Sequence, residues 1–427
     1  NNFELLNINK EIEGISLLVN KEEEKIKEKK NKEARIEKLR NYLEEKNKEL
    51  LSNKENLKIE ETNLKNIEEE FNGNGIVLSA QPDRWLQFTP GLKKLGVEGV
   101  VIKSTGRGTI IVGNSKMAVR QGVFLYLESL GFRYYFPHPD WYIIPQNPDL
   151  YKKYEYQGQP SFDHRRLWYG YGTVGSKFSD DNYKFWFQAN KLGGSMEAYV
   201  GHAYDDIVYR NKEEFKKHPD WFYPKLTNDV IPDNPKFDLS NPALVQFVTD
   251  DVLKRLEQAK QKNKPLKMIT MSPSDGGGTC NTPACQQLGT VTDRVYSLIN
   301  HVARVVRQKY PGTWVSGMAY ADYSAPPTKK LEPNTFVSIA TAFNPSKYSI
   351  DELITLWSKK AGKTGMYDYL GLYVWDLDIP GQGQGSEVYK TALKIKNYYR
   401  LGARGYEAES TPGSINKGLG HYVVLRM

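Results

Sequence analysis

Leu266-Lys267-Met268-Ile269-Thr270-Met271 runs directly into Ser272-Pro273-Ser274-Asp275-Gly276-Gly277-Gly278. The first six residues have the apolar character of a buried strand; a proline, a carboxylate and three glycines then end it. Further strand-like runs cover Arg165 to Tyr171, Ser195 to Val200, Phe237 to Leu239 (the weakest), Trp314 to Tyr320, Phe336 to Thr341, Met366 to Val374 and Ala403 to Ala408. Helical spacing fills the intervals at Ala243 to Gln258, Thr292 to Lys309, Ser349 to Lys360 and Glu387 to Leu401. Strands alternating with helices across residues 155–427 predict an α/β fold, a (β/α)8 TIM barrel. The sequence stops at His421 to Met427, inside the expected eighth helix, and starts at Asn1 without an initiator Met, so a longer natural protein is expected.

Upstream, residues 73–154 read as a small α/β domain: short apolar strands at Ile76 to Leu78, Val97 to Lys103 and Thr109 to Val112, a helix over Lys116 to Leu130, and strand character at Phe132 to Pro137. Residues 1–72 differ from both. They hold 15 basic and 18 acidic side chains, no Pro and no Trp. Ile36, Leu43, Leu50, Leu57, Leu64 and Phe71 recur every seven positions, the spacing of a coiled-coil seam. The companion positions Lys46, Asn53 and Glu60 are polar, which weakens that seam. The segment is expected to be a long helix or coiled-coil stalk that joins copies of the chain into a homo-oligomer or larger assembly.

The 427 residues carry 59 Lys+Arg against 51 Asp+Glu, with the excess of positive charge in the aromatic-rich remainder. Those basic residues are scattered and form no Lys/Arg-rich run there, which argues against a nucleic-acid partner. No apolar run is long enough to span a bilayer. Two cysteines, Cys280 and Cys285, make neither a disulfide-dense scaffold nor a four-thiolate zinc site. They read as a short disulfide of an oxidising compartment, since no further ligands for a metal can be placed beside them. No cofactor is expected.

In a barrel, chemistry gathers at the strands' C-terminal ends. The residues there are Tyr169, Tyr171, His202, Tyr204, Asp275, Asp322, Tyr323, Asn344, Trp375, Asp376, Asp378, Glu407 and Glu409. Aromatic faces stack on sugar rings, carboxylates accept hydroxyl hydrogen bonds, and a pair of carboxyl groups is what glycosidic cleavage requires. Glu407 and Glu409 stand two apart in one strand and so share a face. Their alternative is a buried ion pair with Arg165 or Arg166, that of Asp275 a loop-capping turn, and that of His202 a hydrogen-bonded structural role.

Gly122 to Pro137, His218-Pro219-Asp220-Trp221-Phe222, Asp238-Leu239-Ser240-Asn241-Pro242, Ser272-Pro273-Ser274-Asp275, Ala319-Tyr320 and Pro326-Pro327 occur in an ordered series. The series resembles domain-of-unknown-function family 4838, over about residues 76–427. That family is similar to the α-glucuronidases and includes glycoside hydrolase family 163, whose members act as endo-β-N-acetylglucosaminidases. The resemblance implies an N-terminal α/β domain before a catalytic barrel. It places Asp275 in a Ser-Pro-Asn-Asp motif, with Ser274 for Asn, and Glu409 in a strand-eight Gly-x-x-x-Glu segment. Thr282 stands where the family often has the middle cysteine of Cys-x-Cys-x-x-Cys, which weakens a metal site.

The expected function is a glycoside hydrolase acting on complex glycans or polysaccharide. Asp275 and Glu409 are the acidic pair and Glu407 the alternate; Tyr169, His202, Tyr323, Asn344, Trp375 and Asp376 line the substrate. The rival is a non-catalytic carbohydrate-binding or structural head, as in a phage tail appendage or cell-surface array. Either suits an extracellular, cell-surface or virion-associated place.

Overall fold

The computed structural model describes residues 75–426 except 87, 105–107, 151, 168–176, 197–199, 229, 372–386, 411–421, 424 and 425. The expected stalk lies outside the described residues. The chain forms two compact units, one of residues up to Tyr134 with Tyr142–Pro160, the other of Tyr135–Trp141 with Ser161–Met427. Among the described residues no helix is long and apolar enough to cross a membrane.

The first unit contains β1 (Gly75–Ser79), β2 (Val100–Ser104), β3 (Gly108–Gly113), α1 (Lys116–Ser129), the short β4 (Arg133–Tyr134) and β5 (Tyr142–Ile143), and β6 (Glu155–Gly158). Its main sheet has the order β1-β3-β2-β6. Alternation sends Val100, Ile102 and Ile111 to one face, against Ala118 and Tyr126 of α1, and Val101, Ile110 and Val112 to the other, against Trp85 and Leu92. Gly122 lets α1 lie close: a Cβ there would stand 2.6 Å from an Ile111 methyl and 2.7 Å from a Val100 methyl. The Ser115 side chain caps the helix by accepting the Ala118 N–H. Because β6 pairs antiparallel with β2, this unit runs to Pro160 rather than to the expected residue 154. Strand character predicted over Phe132 to Pro137 narrows to β4.

The second unit is built on β7 (His164–Leu167), α2 (Lys177–Ala189), α3 (Tyr204–Arg210), α4 (Lys212–Lys217), α5 (Pro242–Gln261), β8 (Met268–Thr270), α6 (Pro283–Gln286), α7 (Val291–Lys309), β9 (Trp314–Ala319), β10 (Thr335–Ala340), α8 (Ile350–Ser358), β11 (Lys363–Gly371), α9 (Val388–Leu401) and β12 (Ala403–Ser410). Six strands form a curled, all-parallel half-barrel in the order β7-β12-β11-β10-β9-β8. That is the neighbour order expected for predicted strands one, eight, seven, six, five and four. Predicted strands two and three form no ladder among the described residues. Gly193 makes an isolated bridge to Arg165 at one sheet edge, His202 one to Ser272 at the other, and Phe237 one to Phe222. Around Phe237 the extension is cut short because Asp238 turns back to accept the Ser240 N–H, and Asn241 then caps α5 through Ala243 and Leu244. Capping boxes start two more helices: Thr290 with Asp293 for α7 and Ser349 with Glu352 for α8.

Side-chain parity organises the sheet's concave face. Phe336 is 1% exposed and packs over paired Gly365 and Gly405; a Cβ at Gly405 would come within 2.7 Å of its ring. Two residues further along each strand, Tyr367 and Glu407 share that face with Arg166, and two further still come Tyr369 and Glu409. Residues of opposite parity, such as Asp368 and Tyr406, face the helices. The layers therefore carry acidic and phenolic groups toward the strands' C-terminal ends.

Candidate active site

Asp275 sits on the loop after β8, its side chain 58% exposed. Its Oδ1 accepts the Gly276 N–H at 2.7 Å and the Tyr320 hydroxyl at 3.1 Å, and His202 Nε2 stands 3.6 Å away. His202 Nδ1 lies 2.6 Å from the Pro273 carbonyl. A carbonyl only accepts, so Nδ1 carries a proton and Nε2 is the nitrogen turned to Asp275. Partial burial pushes the Asp275 carboxyl upward, but the Gly276 N–H, the His202 charge, the Tyr320 hydroxyl and the Lys236 charge outweigh it and hold the group below its ordinary value. All three neighbours engage Oδ1, and Oδ2 is available as an acceptor on a side chain that is more than half exposed.

Glu409 is half-buried at the end of β12, and its Oε1 accepts the Tyr367 hydroxyl. Burial raises its pKa, the Tyr367 bond opposes that, and the charges of Glu407 and Asp275 raise it further against a smaller lowering by His202. The two carboxyl groups thus sense one another with no bond between them, and their proton affinities are driven in opposite directions. Glu407 does share the face of Glu409, as its spacing implied, but lies one layer deeper. It is 1% exposed, with Arg166 at 3.2 Å and His164 Nε2 at 3.7 Å. The ion-pair alternative weighed for this pair holds for Glu407.

The aromatic wall differs in membership from the sequence list. Tyr320 lies 6.1 Å from the His202 ring and 5.7 Å from Phe343, Phe343 lies 6.2 Å from Tyr369, and Tyr369 lies 5.6 Å from Tyr367, as ring centroids. Burial, then the Asp275 charge and hydrogen bond, push the Tyr320 hydroxyl up to about 12, so it stays a donor at neutral pH. Phe343 is 53% exposed and has φ +54°, and its carbonyl accepts the N–H of Ala321, itself at φ +46°. Left-handed backbone costs a non-glycine residue about 1–2 kcal/mol, and such strain gathers at functional mouths. Tyr323 is 4% exposed, and with Tyr204 and Lys236 it lines a small cavity behind the Asp275 loop instead of presenting a face to solvent. Asn344 spends its side chain on Ser346 and Tyr348, closing a turn. Tyr169, Trp375 and Asp376, with Tyr171 and Asp378, lie outside the described residues.

Tyr320 stood in the sequence series as a motif residue without a role. Tyr367 and Tyr369 were recoverable from parity, since they share the inward face of Gly365. Tyr367→Phe removes the contact that draws the Glu409 pKa down, so that pKa should rise. For an activity that depends on protonated Glu409, we expect the basic limb of the pH–rate profile to move to higher pH and turnover to fall about 10- to 100-fold, as the loss of a charge-assisted hydrogen bond of about 1.5–3 kcal/mol implies. An unchanged basic limb would separate Tyr367 from Glu409.

Cys280 and Cys285 are joined as a disulfide. With Asp238, whose Oδ1 lies 3.4 and 3.3 Å from their sulfurs, they form the grouping of potential metal ligands found among the described residues. Sulfurs bonded to each other are not thiolates, so this donor set does not suit a metal ion.

Fold and site together define an α/β protein whose parallel strands present a carboxyl pair, a histidine and tyrosines at one end. A family model described as "Domain of unknown function (DUF4838)" matches residues 136–427, and the chain belongs to that family. A search of curated proteins gives no match. Solved structures with similarity include a β-N-acetylhexosaminidase from Bacteroides fragilis, 13% identical, covering 78% of this chain and 77% of that one with a TM-score of 0.44. A GH115 4-O-methyl-α-glucuronidase with specificity for decorated arabinogalactans is 12% identical, with 83% and 50% covered and a TM-score of 0.44. CpGH89 from Clostridium perfringens, in complex with GlcNAc-α-1,4-galactose, is 12% identical, with 77% and 44% covered and a TM-score of 0.46. The chain spans half or less of the length of the latter two.

Proposed function

We propose that the chain is a glycoside hydrolase acting on complex glycans or polysaccharide, of the endo-β-N-acetylglucosaminidase kind, through Asp275 and Glu409 at the mouth of a (β/α)8 barrel. The observation that carries the reading is the divergence of the two carboxyl groups. Glu409 is held toward its protonated form, Asp275 toward its ionised form, and each is fixed through one oxygen. Barrel closure is part of the proposal: the bridges of Gly193 and His202 at the two sheet edges support a path for the missing strands.

In this reading Glu409 gives its proton to the glycosidic oxygen as the bond from that oxygen to the anomeric carbon breaks. The substrate's own acetamide oxygen forms the new bond to that carbon, while Asp275 Oδ2 accepts the acetamide N–H. Water then attacks the anomeric carbon, its proton returns to the Glu409 carboxylate, and the acetamide leaves unchanged. His202, Tyr320 and Tyr369 would line the sugar, and Glu407 would support Glu409 from beneath. The disulfide supports an extracellular, cell-surface or virion-associated place, and residues 1–72 would assemble copies of the chain.

Incubation of the full chain with fluorescently labelled N-glycans and with capsular polysaccharides, followed by mass spectrometry, tests the activity. Release of a shortened glycan is expected. Binding without release would leave the carbohydrate-binding head as the function, and neither would remove the glycan reading.

A further inference from the structure

The Asp275 loop closes around a cation supplied by the chain itself. Lys236 precedes the Phe237 bridge, and its Nζ donates to the carbonyl of Ser274, to that of Asp275 at 2.6 Å and to that of Gly276 at 3.2 Å. An ammonium has three N–H donors, and here each meets one of three consecutive carbonyls. The carbonyls belong to the segment that holds the carboxylate and supplies its Gly276 N–H bond. Gly276 and Gly278 have φ of +78° and +96°, and a Cβ at either would meet nothing within 4 Å. Packing therefore does little to hold the chain at those two positions. The disulfide holds the loop's far end, and Arg294 donates to the Cys280 carbonyl at 3.0 Å.

We infer that Lys236 is a positioning residue for the candidate site: by gripping three successive carbonyls it fixes where the Asp275 carboxylate stands, without itself touching the reacting atoms. The inference rests on the glycosidase reading for its catalytic consequence, but not for the clamp. Lys236 is half-buried, and its charge faces Asp205, Asp275 and Asp322. Three donors spent on the backbone leave it none for a substrate. Asp275 is held at two levels: Tyr320 and the Gly276 N–H bond the side chain, and Lys236 the main chain beneath it. A reacting group displaced by about 1 Å can cost about 100-fold in rate, so a clamp on the main chain has catalytic weight.

The test compares Lys236→Met and Lys236→Arg with the unaltered full chain by amide hydrogen exchange and by turnover of labelled N-glycans. Methionine keeps the stem and loses the donors. The planar arginine fork keeps the charge but does not match three converging carbonyls, so it should fall between the other two. Exchange of the Gly276 amide, which bonds Asp275 Oδ1, should quicken at least tenfold in Lys236→Met, while α7 and β9 keep their protection. Exchange unchanged there, or quickened equally throughout the unit, overturns the clamp. Turnover should fall about 10- to 100-fold in kcat with little change in KM, and the acidic limb of the pH profile should rise as a positive neighbour of Asp275 is lost. Added to Asp275→Asn, the Lys236→Met change should lower turnover no further, because it acts through that carboxylate; an additive loss overturns the inference. If Asp275→Asn alone keeps full turnover, the glycosidase assignment fails, whereas the exchange result still decides the clamp.

Discussion

Glu409→Gln is expected to lower the turnover of an unactivated glycan by about 10²- to 10⁴-fold, the range contributed by a positioned general acid. The amide keeps the shape of the carboxyl group and still accepts the Tyr367 hydroxyl through its oxygen. What it loses is the proton. That proton is retained because burial and the charges of Glu407 and Asp275 lift the Glu409 pKa above its ordinary 4.5. The wild-type basic limb should consequently lie above that value and vanish in the variant. An aryl glycoside leaves without protonation, so the variant should recover most of its rate on such a substrate. In the proposed mechanism the acidic limb belongs to Asp275, whose pKa is held below its ordinary 3.8. Its ionised form is the active one, so activity is lost only as pH falls below that value, and Glu409→Gln leaves this limb in place. Equal losses on glycan and aryl glycoside, with both limbs intact, would show that Glu409 is not the acid.

Much of this arrangement is legible in the sequence because period and chemistry agree. Leu266 to Met271 is an apolar run that ends on an acidic loop, and Glu407 and Glu409 must share a face wherever their strand lies. The helices were legible because their apolar spacing is local; the caps that start two of them, Thr290 with Asp293 and Ser349 with Glu352, need no tertiary context either. What local patterns do not contain is depth. Glu407 and Glu409 look alike in a strand, and only the distant Arg166 and His164 make the first an interior ion pair. Lys236 gives no signal at all, because its role depends on carbonyls nearly forty positions away. Tyr323 was expected to line the site from its place after a strand, yet the helical turn that follows Tyr320 folds it inward. Among the described residues predicted strands two and three form no ladder; Phe237 and Leu239 are buried with a single bridge, Phe237 to Phe222.

Lys394→Met should be among the most destabilising single changes in the second unit, at about 3–5 kcal/mol, because it strands a buried carboxylate. Asp368 is 1% exposed on the outward face of β11, between inward-facing Tyr367 and Tyr369. Lys394 of α9 reaches its Oδ2 at 2.7 Å, Tyr406 donates to the same oxygen at 2.9 Å, and Thr341 and the Tyr369 N–H donate to Oδ1 at 2.7 and 3.0 Å. Burial pushes the Asp368 pKa up, but Lys394 and the hydrogen bonds overcome it, so the folded value lies below the ordinary 3.8. A depressed folded pKa contributes stability that is complete above the unfolded value and disappears as pH falls through the folded one. Without Lys394 that value climbs, so the variant should unfold at a higher pH on acidification. Its thermal midpoint at neutral pH should fall by roughly 10 °C, at about 2–4 °C per kcal/mol for a domain of this order of size. Pairing the change with Asp368→Leu should return part of the loss, since an apolar pair can replace a buried ion pair. The return is incomplete because the Thr341 and Tyr406 hydroxyls then lose their acceptor. Calorimetry on the two variants decides the point: if Lys394→Met unfolds at the wild-type temperature, the ion pair does not hold α9 to β11. Tyr367 and Tyr369 flank Asp368 on one strand, so loosening that anchor should also lower turnover by displacing the donor to Glu409.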